Sequence, residues 1–75
     1  MRIKLIGGGA SIATLKVETY DRVQKKWIEK VVQVAPGRDI GTSGWTLKGL
    51  HFDKSTLVAD VTDDEGVDRV LSTKD

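Results

Sequence analysis

The fold is decided by residues 45–61, which read WTLKGLHFDKSTLVADV. Within this stretch, Leu57, Ala59 and Val61 occupy every second position, which is the period of a strand with one buried face. Residues 45–52 alternate in the same way, but the frame slips by one at Gly49, and an extra residue at a glycine predicts a β-bulge. A tight turn at residues 53–54 would join the two segments into an antiparallel hairpin.

The same two-residue period extends outward along the chain from this hairpin. Residues 2–5 alternate and run into the glycine triplet 7–9, which should bend or end this first predicted strand. Residues 13–18 alternate cleanly and predict a half-buried strand. A turn at residues 63–66, ending in a glycine that can take positive φ, leads into a last strand over residues 67–71.

The segment 21–34 fits two interpretations. Its apolar residues recur at helical spacing, and Asp21 with Gln24 resembles the capping pattern of a helix start. Its β-branched and aromatic residues, however, suit a pleated strand better because their χ1 angles are stiff. We favour a strand, with residues 20–26 as a polar hairpin connection.

The sequence therefore predicts an all-β fold, a small β-sandwich or SH3-like barrel of about six short antiparallel strands. One domain spans residues 1–75, because 75 residues and 8.2 kDa cannot build two cores. A frayed tail is expected at residues 72–75. The predicted core consists of Leu5, Leu15, Val17, Ile28, Val32, Trp45, Leu47, Leu50, Leu57, Ala59, Val61 and Val70.

The sequence offers no pattern for catalysis, a cofactor or a metal ion. There is no cysteine, and the single histidine, His51, is expected to face solvent on its strand. The acids at residues 63–65 are contiguous, whereas a calcium loop needs them at alternate positions, so a solvated hairpin loop is expected there. The glycines at 7–9 lack the spacing of a dinucleotide-binding loop. We therefore expect a protein that is not an enzyme and has no catalytic, cofactor-binding or metal-binding residues.

Charge is distributed unevenly along the chain. Residues 1–30 carry seven Lys/Arg and three Asp/Glu, whereas residues 51–75 carry three Lys/Arg and seven Asp/Glu. If the two segments lie on different faces, the resulting charge dipole favours oriented docking to another protein. The alternative is that the two ends pair with each other and neutralise the asymmetry.

Three segments of the chain carry a family resemblance: VVQVAPGRDI at residues 31–40, GWTL at 44–47 and GLHFDKSTL at 49–57. Together they resemble the pilus-assembly protein PilP and the homology region of the type II secretion inner-membrane protein. The resemblance implies a periplasmic protein-docking domain, tethered to the inner membrane in its full-length form. Its partner would be the N-terminal domain of the outer-membrane secretin or another pilus or secretion component. A cytoplasmic location is the alternative.

The basic N-terminal half is the predicted partner-binding surface, at an edge formed by the first strand and the strand from Trp27. Its residues are Arg2, Lys4, Lys25, Lys26 and Trp27. The simpler interpretation is that these lysines only protect the edge from aggregation. Two other functions stay open: a small β-barrel that binds single-stranded nucleic acid, and a phage or plasmid accessory protein that inhibits a host enzyme.

Overall fold

The computed structural model describes residues 2–41 and 43–73. The strands are β1 (Arg2–Gly8), β2 (Ala13–Asp21), β3 (Lys26–Val34), β4 (Thr46–Asp53), β5 (Thr56–Thr62) and β6 (Asp68–Ser72). Strands β1-β2-β3 form one antiparallel three-stranded sheet, called sheet 1, and β4-β5-β6 form a second, called sheet 2. The all-β prediction of six short antiparallel strands is confirmed. Among the described residues no ladder joins the two sheets, so they do not close a barrel.

The segment 21–34 is a hairpin end followed by a strand, as favoured. Asp21 pairs with Lys26, and the turn between them places Lys25 at φ 55°. The Asp21 Oδ1 atom accepts hydrogen bonds from the backbone N–H groups of Val23, at 2.9 Å, and Gln24, at 3.3 Å. The residue that resembled a helix cap therefore caps a hairpin turn, because the same side-chain geometry satisfies free amides in both settings.

Two bulges interrupt the strand ladders. Leu47 pairs with Val61 and Gly49 with Asp60, so the predicted bulge in β4 is confirmed and falls at Lys48. A second register shift occurs in β1 between Leu5 and Gly7, and β1 continues through the glycines as far as Gly8. The first strand therefore ends within the glycine triplet, at its second member.

A single hydrophobic core lies between the two sheets. Its buried apolar residues are Ile3, Leu5, Ala13, Leu15, Val34, Ile40, Leu47, Leu57, Ala59 and Val61. Six of these were predicted, and four further predicted residues, Val17, Val32, Trp45 and Leu50, are partly buried and pack against the cluster.

Two core predictions are wrong. Val70 is 66% exposed because it pairs with Asp60 on the outward side of sheet 2, and its neighbour Leu71 takes the inward position opposite Ala59. Ile28 is 44% exposed although it lies on the core-facing side of sheet 1. The nine-residue strands β2 and β3 extend past the point where sheet 2 can cover them.

The turn between β5 and β6 is built around a buried carboxylate. Asp63 Oδ1 accepts the N–H groups of Glu65 and Val67, both at 2.9 Å, and Asp63 Oδ2 accepts from Arg69 Nε at 2.7 Å. The Arg69 hydrogen bond first, and then the amide of Val67, hold the pKa of Asp63 below its ordinary value. The turn is therefore held by an internal carboxylate, whereas the sequence suggested a solvated loop.

The end of the chain differs from the predicted tail. Ser72 is the last residue of β6, and the Thr73 N–H donates to the Leu57 carbonyl oxygen at 3.1 Å. The Leu57 N–H in turn donates to Thr73 Oγ1 at 3.3 Å. Residues 72–73 are thus tied to β5, and residues 74–75 lie outside the described part of the chain.

Candidate docking site on sheet 1

The charge asymmetry of the sequence becomes an asymmetry between the two sheets. Sheet 1, over residues 2–34, carries seven Lys/Arg and three Asp/Glu, whereas residues 46–73 around sheet 2 carry three and six. Each ion pair found among the described residues joins two residues of the same half of the chain, either within 2–34 or within 46–73: Arg2–Glu18, Lys16–Glu29, Lys48–Asp68, His51–Asp60 and Arg69–Asp63. The positive excess of sheet 1 and the negative excess around sheet 2 are therefore not joined by ion pairs across the core. Sheet 1 presents a basic surface.

The face of sheet 1 that points away from the core carries an aromatic and charged cluster, called the outer cluster: Arg2, Glu18, Tyr20 and Trp27. The Arg2 guanidinium lies 4.2 Å from the centroid of the Trp27 ring and donates to Glu18 Oε2 at 3.1 Å. Tyr20 meets Trp27 edge to face, with ring centroids 5.5 Å apart. Glu18 is only 8% exposed, so Arg2 compensates a carboxylate that the neighbouring side chains cover.

The core-facing side of the same sheet carries an apolar groove where sheet 2 ends. Its walls are Val17, Thr19, Ile28 and Lys30 from β2 and β3, with Ile40 and Ser43 from the β3–β4 connection. The groove has a volume of about 410 Å³ and is open to solvent. Lys30 is its charged wall residue, so the groove is apolar with one cation at its rim.

Between these two faces runs the free edge of β3. In the sheet order, β2 lies between β1 and β3, so the far side of β3 has no neighbouring strand within the described residues. Trp27, Ile28 and Val31 on this strand are 45%, 44% and 58% exposed. An edge with this much exposed apolar surface fits partner binding, because soluble proteins usually shorten, twist or charge such edges.

The structure places the predicted site residues on sheet 1 but not along one edge. Arg2 and Lys4 lie on β1 with side chains pointing outward, as predicted, while Lys26 and Trp27 open β3 and Lys25 lies in the turn before it. β1 and β3 are opposite edges of the sheet, so the predicted common edge is wrong. Arg2 nevertheless reaches Trp27, because its side chain crosses the outer face of β2 beside Glu18.

Sequence analysis missed several residues of this surface. Tyr20 was assigned to a connection, yet it pairs with Trp27 near the end of β2. Ile28 was assigned to the core and instead lines the groove. Strand length is the related structural feature, because β2 and β3 have nine residues each whereas the strands of sheet 2 have eight, seven and five. The exposure of Ile28 lies toward the hairpin end of this longer pair.

The other residues considered for a site lie as follows. His51 is exposed as predicted, with Nδ1 3.7 Å from Asp60 Oδ2. No group of three or more metal-ligating side chains comes together within residues 2–41 and 43–73. A search of the same residues finds no helix of the length and apolarity needed to span a membrane.

Comparisons with protein-family models, with curated proteins and with solved structures found no match to this chain.

Proposed function

We propose that this protein is a non-catalytic docking domain that binds a partner protein through sheet 1. The observation that carries the proposal is the β2–β3 hairpin, whose exposed apolar residues lie on a sheet with an excess of positive charge. Apolar surface of this kind supplies affinity when it is covered, and surrounding cations set the orientation and rate of encounter.

The resemblance to PilP and to the type II secretion homology region supplies the candidate partner. In that setting the domain would be periplasmic, tethered to the inner membrane in the full-length protein, and would dock to the N-terminal domain of the secretin. The support from the structure is of a general kind: an all-β domain with a basic, partly apolar sheet suits protein docking.

Binding of the purified secretin N-terminal domain, followed by surface plasmon resonance, tests this proposal. The double variant Lys25→Glu, Lys26→Glu should lower the association rate about tenfold or more at low salt, because these cations lie at the hairpin end. The single variants Lys25→Glu and Lys54→Glu change the net charge equally and both lie at positive-φ turn positions. Lys54→Glu, in the β4–β5 turn of sheet 2, is therefore the matched control for Lys25→Glu and should leave the rate unchanged. Unchanged binding by the double variant would place the interface elsewhere, with the acidic side around Asp60 and Asp68 as the next candidate.

Single-stranded nucleic acid is the second candidate ligand, because Trp27 and Tyr20 are exposed beside several cations. Against nucleic-acid binding, the Arg2 guanidinium lies over the Trp27 ring and Tyr20 contacts the same ring edge to face. Both contacts reduce the ring surface on which a base could stack. Titration with a deoxythymidine oligomer at increasing salt decides between the two. A docking domain should show no binding at any salt concentration, whereas phosphate contacts would give an affinity that falls steeply with salt.

A further inference from the structure

We infer that the free edge of β3 accepts an extended segment of the partner protein as a fourth strand of sheet 1, and that this segment is acidic on one face. The inference rests on the proposed docking function and names its mode of binding and the chemistry of the ligand. Strand addition uses the main-chain groups of an edge for affinity and the side chains on both faces for selection.

The open part of the edge is residues 26–31. Beyond it, the β3–β4 connection approaches the strand, since a Cβ atom on Gly41 would lie 3.7 Å from Val32 Cγ1. Six residues of strand measure about 20 Å, which is an ordinary strand length. In an antiparallel ladder every second residue directs its N–H and C=O toward a given side, so this edge offers its outward groups to a partner.

The two faces of β3 determine what the added strand must carry. Lys26, Ile28 and Lys30 lie on the core-facing side, so the residues opposite them should be acidic, apolar and acidic. The apolar residue would enter the groove beside Ile28 and Ile40. On the outer face, the residues of the added strand opposite Trp27 and Val31 should be apolar or aromatic. Glu29, between them, is already paired with Lys16.

Charge argues for an acidic partner rather than for a second copy of this chain. Joining two copies along β3 would bring together two sheets that each carry four more positive than negative groups. An acidic strand instead meets Lys26 and Lys30 directly and the wider positive field of sheet 1 at longer range. The same argument disfavours pairing of β3 with β3 of a second copy, because β3 carries Lys26, Lys30 and a single acid.

The test uses isotope-labelled protein and the synthetic peptide Val-Glu-Thr-Ile-Tyr-Glu, which places acids opposite Lys30 and Lys26 in an antiparallel alignment. Saturable binding should slow hydrogen exchange at every second amide over residues 26–31. The matched peptide Val-Lys-Thr-Ile-Tyr-Lys should bind at least about tenfold more weakly, because each lysine then faces a lysine.

Two pairs of variants locate the binding. Ile28→Lys should abolish peptide binding by placing a charge in the groove, whereas Val23→Lys, the same change at a 91% exposed turn residue, should not. Lys30→Glu should largely remove the preference between the two peptides, because each peptide then has one favourable and one unfavourable charge pair, whereas Lys54→Glu should leave the preference unchanged. Circular dichroism melting curves of all four variants verify that they are folded.

Several outcomes would overturn strand addition. Equal binding of both peptides, no binding of either, or protection of sheet 2 amides would each do so. Protection of the β3 edge that rises with protein concentration in the absence of peptide would assign the edge to a second copy. If the secretin domain binds but perturbs only the outer cluster, strand addition fails and the docking function stands. If that domain does not bind while the acidic peptide does, the docking partner is wrong and the edge site stands.

Discussion

The glycine triplet offers a sharp test of the structure, because two adjacent glycines should respond in opposite ways to the same substitution. Gly8 has φ 120°, and a Cβ built on it would overlap the Ile12 carbonyl oxygen and lie 3.0 Å from Ala13 Cα. Gly7 meets nothing within 4 Å and has no positive φ. The perturbation is Gly8→Ala, and its matched control is Gly7→Ala.

The expected magnitudes follow from these geometries. A non-glycine residue at strongly positive φ costs about 1–2 kcal/mol. Relief of the overlap with backbone that is fixed in the β1–β2 turn costs about 1–3 kcal/mol more. Gly8→Ala should therefore lower the free energy of unfolding by about 2–5 kcal/mol, which approaches the whole stability expected of a domain this small. Gly7→Ala should raise it by about 0.5–1 kcal/mol, because alanine loses less backbone freedom in a strand.

Urea denaturation followed by tryptophan fluorescence and by far-ultraviolet circular dichroism measures both variants. The reasoning predicts a lower midpoint for Gly8→Ala and an equal or higher midpoint for Gly7→Ala. Equal midpoints for the two variants would refute it, since the positive φ and the close backbone contacts would then not distinguish Gly8 from Gly7.

Three further predictions concern side chains. Arg2→Ala should destabilise the fold by about 1–2 kcal/mol by leaving Glu18 covered and unpaired, while Lys4→Ala, the next outward residue, should change the urea midpoint little. Because the pKa of Asp63 is lowered, its stabilisation is complete above about pH 4 and is lost as the pH falls through the lowered value. Asp63→Asn should therefore lower the urea midpoint at pH 7, and the difference from the unmodified protein should disappear at the acid end of a pH series. Trp45→Ala should cost about 2–3 kcal/mol in a urea titration, below the cost at a fully buried site, because Trp45 packs against the core but is only partly buried.

The strands were predictable from the sequence because a half-buried strand has a strict two-residue period. That period located β2 and β5, and the slip at Gly49 located the bulge in β4. The period shows which residues share one face of a strand, but it does not show whether the opposite sheet covers them. For this reason Ile28 was assigned to the core. Ile40 was missed for the opposite reason: it is fully buried in an irregular connection, where no period exists to mark it.

The candidate site was predictable only in composition. The basic residues and Trp27 could be read from the sequence, but their arrangement depends on β2 lying between β1 and β3. The burial of Glu18 shows the same limit, because an acid in an alternating strand predicts a solvated side chain. Its ion-pair partner is Arg2, which is sixteen positions away in the chain.

The consecutive strand order of each sheet has a consequence for folding. Every ladder joins strands that are neighbours in sequence, so each sheet can form from one continuous half of the chain. Such local pairing lowers the entropy lost on closing loops and favours rapid folding for an all-β domain. The two halves are covalently linked only through residues 35–45, between β3 and β4. Cleavage within that connection should yield two fragments that reassemble on the shared core, with an affinity that reports the strength of inter-sheet packing directly.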